Sequence, residues 1–294
     1  MKLKVFVVFW LLTGSLFSGY GCNGNPTGTQ NNTVYLSLTP TPPNLITVTP
    51  TNTPYTISAN NKNICTTNSG SQNVTVGSYI VESNYWNSGS CPGTQCMNIN
   101  PSTASFSVTQ GPSCSSCNTV ASYPNVLYGC NGICSPSSVL PMPVSALNNV
   151  TSSWSFAPGG NSNDCFDIAY DIWFCSDNSC SGGFNNGAEL MIWVNYQNTT
   201  GWKTHLGSVS LSGYNWDVWT ATQTSGSNSW TYIAYLISSN VTSVTNLNLL
   251  AFIQDSETRN LIQNTWYLYA VQAGNEIRSG GLPFNNNSFS VSIN

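Results

Sequence analysis

Ala188-Glu189-Leu190-Met191-Ile192-Trp193-Val194 alternates strictly in polarity and size. In a β-strand successive side chains point to opposite faces, so Leu190, Ile192 and Val194 make an apolar face while Glu189, Met191 and Trp193 share the other. The same reading of Trp266 through Arg278 puts Gln272, Gly274, Glu276 and Arg278 on one face, opposite Tyr267, Tyr269, Val271 and Ala273. Asp167, Ala169, Asp171 and Trp173 share a third such face, opposite Phe166, Ile168, Tyr170, Ile172 and Phe174. From Cys65 onward, short runs of this kind are separated by Gly/Asn/Ser clusters, the pattern of an all-β sandwich or jelly roll. A single short helix is predicted from Leu247 to about Ile253, where Leu249, Leu250, Phe252 and Ile253 follow a helical stripe.

The composition fits that reading and narrows the partners. The 294 residues carry 6 Lys+Arg and 10 Asp+Glu, 5% charged in all and a net charge of −4. A globular domain usually has roughly 25% charged residues. Without a basic patch there is nothing to neutralise a phosphate backbone, which excludes nucleic acid as a main partner. Aromatics at 12%, with abundant Asn, Ser, Thr and Gly, describe a polar but uncharged β surface. Such surfaces suit sugars, which offer hydroxyls and flat C–H faces.

Residues 1–21 read as a secretory signal, with Lys2 and Lys4 ahead of an apolar run from Val5 to Leu12. The chain is therefore expected outside the cell. Cys22 follows directly and offers a thiol for lipid attachment, although Gly19-Tyr20-Gly21 matches a lipoprotein cleavage box poorly. Residues 22–60 are rich in Thr, Pro and Asn, as in Thr39-Pro40-Thr41-Pro42-Pro43, and read as an extended linker or stalk that could tether the remainder to the envelope. Residues 61–294 then form one domain, expected to act as a monomer. Ten cysteines follow Cys22, an even set that in an exported chain reads as disulfides. Zinc is the rival reading, because Cys114 and Cys117 form a C-x-x-C. Cys130 and Cys134 suggest one local pair, and Cys175 with Cys165 or Cys180 another. N-x-S/T sequons stand at Asn31, Asn73, Asn149, Asn198, Asn240 and Asn286.

The ionisable side chains are few enough to consider one by one. His205 is the single histidine, in a loop-like Lys203-Thr204-His205, so no Ser-His-Asp or Cys-His arrangement is available. Catalysis, if present, rests on carboxylates. Three strands could line one polar groove with Asp171, Glu189 and Glu276. One carboxylate can attack an anomeric carbon, one acid can protonate the leaving oxygen, and a third group can tune the nucleophile. Taken alone, the row Glu189, Met191 and Trp193 suits a sugar-binding cleft and an ordinary exposed strand face equally well.

The segments around these residues resemble glycoside hydrolase family 12, the jelly-roll β-1,4-glucanases. Glu189-Leu190-Met191-Ile192-Trp193 is similar to the family's E-[IL]-M-I-W strand, Tyr170-Asp171-Ile172-Trp173 to its Y-D-[IL]-W, and Val271-Gln272-Ala273-Gly274-Asn275-Glu276 to its V-Q-A-G-x-E. Asn84-Tyr85-Trp86-Asn87, Gln95-Cys96, Ser122-Tyr123-Pro124-Asn125-Val126 and the closing Ser288 to Ile293 follow the family's order as well. Leu206-Gly207-Ser208, after His205, resembles its P-[IV]-G-S. The resemblance implies two packed antiparallel sheets with a substrate cleft on the concave one. It also implies retaining endo-hydrolysis of β-1,4-glucan by Glu189 as nucleophile and Glu276 as acid/base. Asp171 would support the nucleophile, and Asn84, Trp86, Met191 and Trp193 would line the cleft. No cofactor or metal is expected. A Cys65–Cys96 disulfide is implied in the same way. Arg278 departs from the family pattern and could contact Glu276 or the sugar on the reducing side. Two other readings remain: a non-catalytic sugar-binding surface protein on the same sandwich, and a related jelly-roll xylanase, in which Tyr79-Ile80-Val81-Glu82 would supply a catalytic Glu82.

Charge poverty also bears on pH. Beyond the signal the cations are Lys62, Lys203, Arg259 and Arg278, so few ion pairs can lower a carboxyl pKa, and acid should remove little stability. Folding is expected to persist to about pH 2 to 3.

Overall fold

The computed structural model describes residues 61–180 and 183–294. The predicted signal, the linker, Cys22 and the Asn31 sequon lie outside them. In chain order the elements are β1 Lys62–Thr66, β2 Asn73–Val76, β3 Tyr79–Glu82, β4 Gln95–Ile99, β5 Phe106–Gln110, β6 Asn125–Asn131, β7 Ile133–Cys134, β8 Met142–Pro143 and β9 Val150–Ala157. They continue with β10 Cys165–Cys175, β11 Ala188–Gln197, β12 Thr204–Leu211, β13 Tyr214–Ser225, β14 Asn228–Ile237, β15 Ser243–Asn248, α1 Leu249–Thr258, β16 Tyr267–Ser279 and β17 Phe284–Ile293. One sheet has six strands in the order β1-β4-β5-β17-β9-β15. The other runs β12-β13-β14-β11-β10-β16-β6-β3-β2, with β7 beside β6 and β8 beside β16.

The pairing is antiparallel except that β11 lies parallel to β14. The β12-β13-β14 meander causes this: two reversals bring β14 back to the edge of β11 running the same way.

The expected alternation builds the core. Phe166, Ile168, Tyr170, Ile172 and Phe174 of β10 and Leu190, Ile192 and Val194 of β11 all enter the main buried cluster. There they join Trp154 and Phe156 of β9 and Phe284 of β17. The polar tips that enter this layer are paired: Trp154 Nε1 donates to Asn286 Oδ1 at 2.7 Å, and Tyr170 OH to Ser152 Oγ at 3.0 Å. Truncating an aromatic here to alanine would cost about 3 to 5 kcal/mol. Asn286 is fully buried in this contact, so its sequon is not a surface position.

A bulge corrects one part of the strand reading. Trp173 pairs with Ala270 but Phe174 with Leu268, which leaves Tyr269 as the extra residue on β16. Past it the phase slips by one. Leu268 joins the core with Val271 and Ala273, whereas Tyr269 packs with Trp173, Ile80 and Leu127 on the opposite face.

The helix also begins and ends later than expected. Leu247 still belongs to β15, paired with Ser152, and Asn248 caps α1 by accepting from the Ala251 N–H at 3.2 Å. Leu249, Phe252, Ile253 and Ser256 form its buried side, and Arg259 Nε meets Asp255 Oδ2 at 2.6 Å.

All ten cysteines from Cys65 to Cys180 are paired: Cys65–Cys96, Cys91–Cys114, Cys117–Cys165, Cys130–Cys134 and Cys175–Cys180. The implied Cys65–Cys96 and the local Cys130–Cys134 bridges are present, and Cys175 takes Cys180 because Cys165 goes to Cys117. Cys114 and Cys117 have separate disulfide partners, so they do not form a C-x-x-C zinc pair. Non-reducing peptide mapping should recover these five links and no free thiol among them. Cys117–Cys165 spans 48 residues and Cys130–Cys134 only 4. On the chain-entropy account the longer loop contributes about 4 kcal/mol and the shorter about 2. The double serine variant at Cys117 and Cys165 should therefore melt below the one at Cys130 and Cys134; the reverse order would show that local strain outweighs loop closure.

Candidate active site

Strand β10 places the site. It lies between β11 and β16, and its register sets Asp167 directly opposite Glu276, Asp171 opposite both Gln272 and Met191, and Trp173 opposite Glu189. These side chains all stand on the face turned away from the core. Gly274, between Gln272 and Glu276, lets the neighbouring chain come close: a Cβ there would lie 2.3 Å from the Pro124 carbonyl oxygen. Asn125 consequently packs against β16 and pairs with Gly274.

Glu189 is half-buried, and its Oε2 accepts from Trp230 Nε1 at 2.7 Å. Burial, opposed by that hydrogen bond and reinforced by the charge of Glu276, pushes its pKa up to about 8. Asp171 is raised well above the usual carboxylate range by burial and then by Glu189. Its Oδ2 accepts from Trp173 Nε1 at 2.9 Å, and its Oδ1 has no partner. Asp167 is fully buried and also raised, first by burial and then by Glu276, with Arg278 opposing. Burial works against the charge on Arg278, but Glu276 and Asp167 outweigh it and raise that pKa.

Arg278 Nη2 lies 2.6 Å from Glu276 Oε2 and 2.9 Å from Asp167 Oδ2. One guanidinium thus serves two facing acids. With Glu189, Asp171 and, at the β3 side, Glu82, the face holds five carboxyl groups and one cation, and they cannot all ionise together. Such a site retains protons near neutrality, as general acid chemistry requires. Among the described residues no three His, Cys, Asp or Glu side chains are grouped to hold a metal ion.

The structure brings Asp171, Glu189 and Glu276 onto this one face. Asn84 and Trp86 lie in the loop after β3, both half-buried. Bridges from Tyr85 to Ser122 and from Ser122 to Ile277 hold that loop at the Glu276 end of β16. Met191 and Trp193 are each only 2% exposed, packed with Ala169, Tyr232, Ala234 and Leu236. The Arg278 guanidinium covers the Trp193 ring at 5.7 Å. These two residues form the floor beneath the groove side chains and present no open stacking face. His205 is in strand β12, not a loop, and stacks on Trp219 with centroids 4.7 Å apart.

Glu82 takes another part. It is buried, and Asn125 Nδ2 and Gln272 Nε2 both donate to its Oε1, at 3.0 and 2.9 Å. Burial, opposed by these donors, raises its pKa. A carboxyl tied across β3, β6 and β16 in this way is a structural link, which weighs against the xylanase reading. Trp230, the donor to Glu189, is not among the site residues expected from the sequence. Its signal was the alternation Trp230, Tyr232, Ala234, Leu236, which places it on the same face as Met191 and Trp193 once β14 is known to flank β11.

Comparisons with known proteins agree with this geometry. The family model "Glycosyl hydrolase family 12" matches residues 77–294. The chain is 28% identical over 229 residues to the "Probable xyloglucan-specific endo-beta-1,4-glucanase A" of Aspergillus terreus, covering 75% of this chain and 84% of that protein. Among solved structures, the endoglucanase cel12A from Rhodothermus marinus superposes with a TM-score of 0.71 at 34% identity, over 79% of this chain and 99% of that one. A metagenome-derived glycoside hydrolase family 12 endoglucanase gives a TM-score of 0.71 at 36% identity, over 80% and 98% of the two chains.

The raised carboxyls carry a sign for stability. Glu82, Asp167, Asp171 and Glu189 hold protons in the native state at pH values where the unfolded chain, with carboxyl pKa values near about 4, has lost them. Stability should therefore be fully present at and below about pH 4 and decline as pH rises toward the value of about 8 for Glu189. Thermal unfolding should give a midpoint at pH 4 at least as high as at pH 7, and one about 5 to 10 °C lower at pH 8.5. A midpoint at pH 3 more than about 15 °C below that at pH 6 would mean that unseen ion pairs dominate.

Proposed function

Because the chain belongs to glycosyl hydrolase family 12 and is a glycoside hydrolase, we propose that it is an exported endo-β-1,4-glucanase acting with retention of anomeric configuration. In the first step the ionised fraction of Glu189, which grows as pH rises toward about 8, attacks the anomeric carbon while Glu276 gives a proton to the departing glycosidic oxygen. In the second, Glu276 takes a proton from water, which displaces Glu189 from the sugar. Asp171, which burial inclines to stay protonated, acts on Glu189 through their charge interaction and so tunes the nucleophile. The observation that carries this reading is the convergence of Glu189, Asp171 and Glu276 from three adjacent strands onto one face, with the Trp230 N–H holding one oxygen of Glu189. That N–H also supports the negative charge which the nucleophile needs.

The substrate we assign is a β-1,4-linked glucan. The relatives' names divide between endoglucanase and xyloglucan-specific endoglucanase, which share a β-1,4-glucan backbone. The five disulfides support an oxidising compartment and hence export.

Glu189→Gln and Glu276→Gln should each lower kcat on soluble β-glucan by roughly 10² to 10⁴-fold. Both should still fold cooperatively at pH 7, since glutamine keeps the shape of each side chain and Arg278 keeps Asp167 as a partner. Early-time NMR should show the β-anomer released first. Near-wild-type turnover in either variant, initial α-product, or reducing ends from xylan but none from any β-1,4-glucan would each refute the assignment.

A further inference from the structure

We propose that Arg278, anchored by the buried Asp167 and laid over Trp193, is a positioning residue for Glu276: it holds Oε2 so that the other oxygen delivers the proton to the glycosidic oxygen. The inference rests on the reading of Glu276 as the acid/base. Its basis is geometric. Asp167 and Glu276 are directly opposed across β10 and β16, an arrangement of like charges that is destabilising unless something lies between them. Arg278 fills that role, with Nη2 at 2.9 Å from Asp167 Oδ2 and 2.6 Å from Glu276 Oε2, and Nε at 3.3 Å from the same Asp167 oxygen.

The guanidinium cannot swing away easily. Its exposure is 7%, Nη1 donates to the Cys117 carbonyl at 3.4 Å, and its Cζ lies over the Trp193 ring, 5.7 Å from the centroid. The Cys117 contact links the clamp to the Cys117–Cys165 bridge, whose second cysteine begins the strand that carries Asp167. Asp167 receives N–H groups on Oδ2 only, since its Oδ1 has no partner. The N–H groups that reach this buried anchor all come from Arg278, while Glu276 is the acid facing it across the strands.

The clamp also meets the charge that the reaction creates. When Glu276 protonates the leaving oxygen, the new carboxylate already has a fixed cation on Oε2, and no solvent has to reorganise around it. In the second step Glu276 takes a proton back from water.

The test uses leaving-group dependence, which a merely structural residue would not alter. Loss of protonation assistance matters for a sugar leaving group and hardly at all for 2,4-dinitrophenolate, which departs without a proton. Arg278→Met should lower kcat/KM on β-glucan by about 10 to 100-fold and on 2,4-dinitrophenyl β-cellobioside by less than about 3-fold. Arg278→Lys should recover part of the glucan activity. Because Arg278→Met strands a buried carboxyl, the double variant Asp167→Asn/Arg278→Met, which removes both charges, guards against misfolding and should show the same selective loss. Equal losses on the two substrates in the folded double variant, or a glucan loss below about 3-fold, would overturn the proposal. Glu276→Gln is the control that separates the two claims. If it shows the selective loss and the Arg278 variants do not, only the positioning role fails; if Glu276→Gln itself loses activity equally on both substrates, the acid/base reading falls and the clamp with it.

Discussion

Every residue of β10 is buried, because β11 and β16 flank it and both of its faces are covered. A strand in that position must give each side chain a partner. On the core side the requirement is met by packing, with Phe166, Ile168, Tyr170, Ile172 and Phe174 set against the second sheet. On the other side it is met by charge and hydrogen bonds: Arg278 for Asp167 and the Trp173 indole for Asp171. The site follows from this constraint. Acids that would ionise freely on an exposed strand are held in low-dielectric surroundings, where their protons are retained and available for chemistry.

The period-two pattern was enough to identify the strands that carry Asp171, Glu189 and Glu276, because both faces of each are demanding and a shift of one residue would bury the acids in the core. The pattern fails at the β16 bulge, where Tyr269 is inserted; neighbouring residues do not announce a slip that is set by pairing with β10. Alternation assigns a face but not its cover. Met191 and Trp193 stand on the expected side of the strand, where β14 side chains crowd in beside them and Arg278 lies over the Trp193 ring. The Cys117–Cys165 link was hidden for a related reason, since a 48-residue separation carries no local signal. Asn248 illustrates the opposite case: a cap residue does mark a helix start, and giving it weight would have moved the boundary past Leu247.

Low charge and the crowded acidic face belong together. A surface nearly free of lysine and arginine leaves few cations to steady buried carboxyls, and the structure concentrates its best-placed one, Arg278, where two acids oppose each other. The tolerance of acid expected from the sequence would then have two sources: few ion pairs to lose, and several carboxyls that are more easily protonated folded than unfolded.

The sheet order has a consequence for how the protein comes into being. The β12-β13-β14 meander closes through short reversals and can form early, whereas β10 pairs with β16 across about a hundred residues of intervening chain. Asp167 and Glu276 meet only at that late step. A chain still emerging during synthesis would have β11 and its Glu189 in hand but no β16, and therefore no Glu276. On the roles proposed for these two residues, hydrolytic competence would arrive all at once, when the strand carrying Glu276 docks, and a truncated or unfinished chain would be inert.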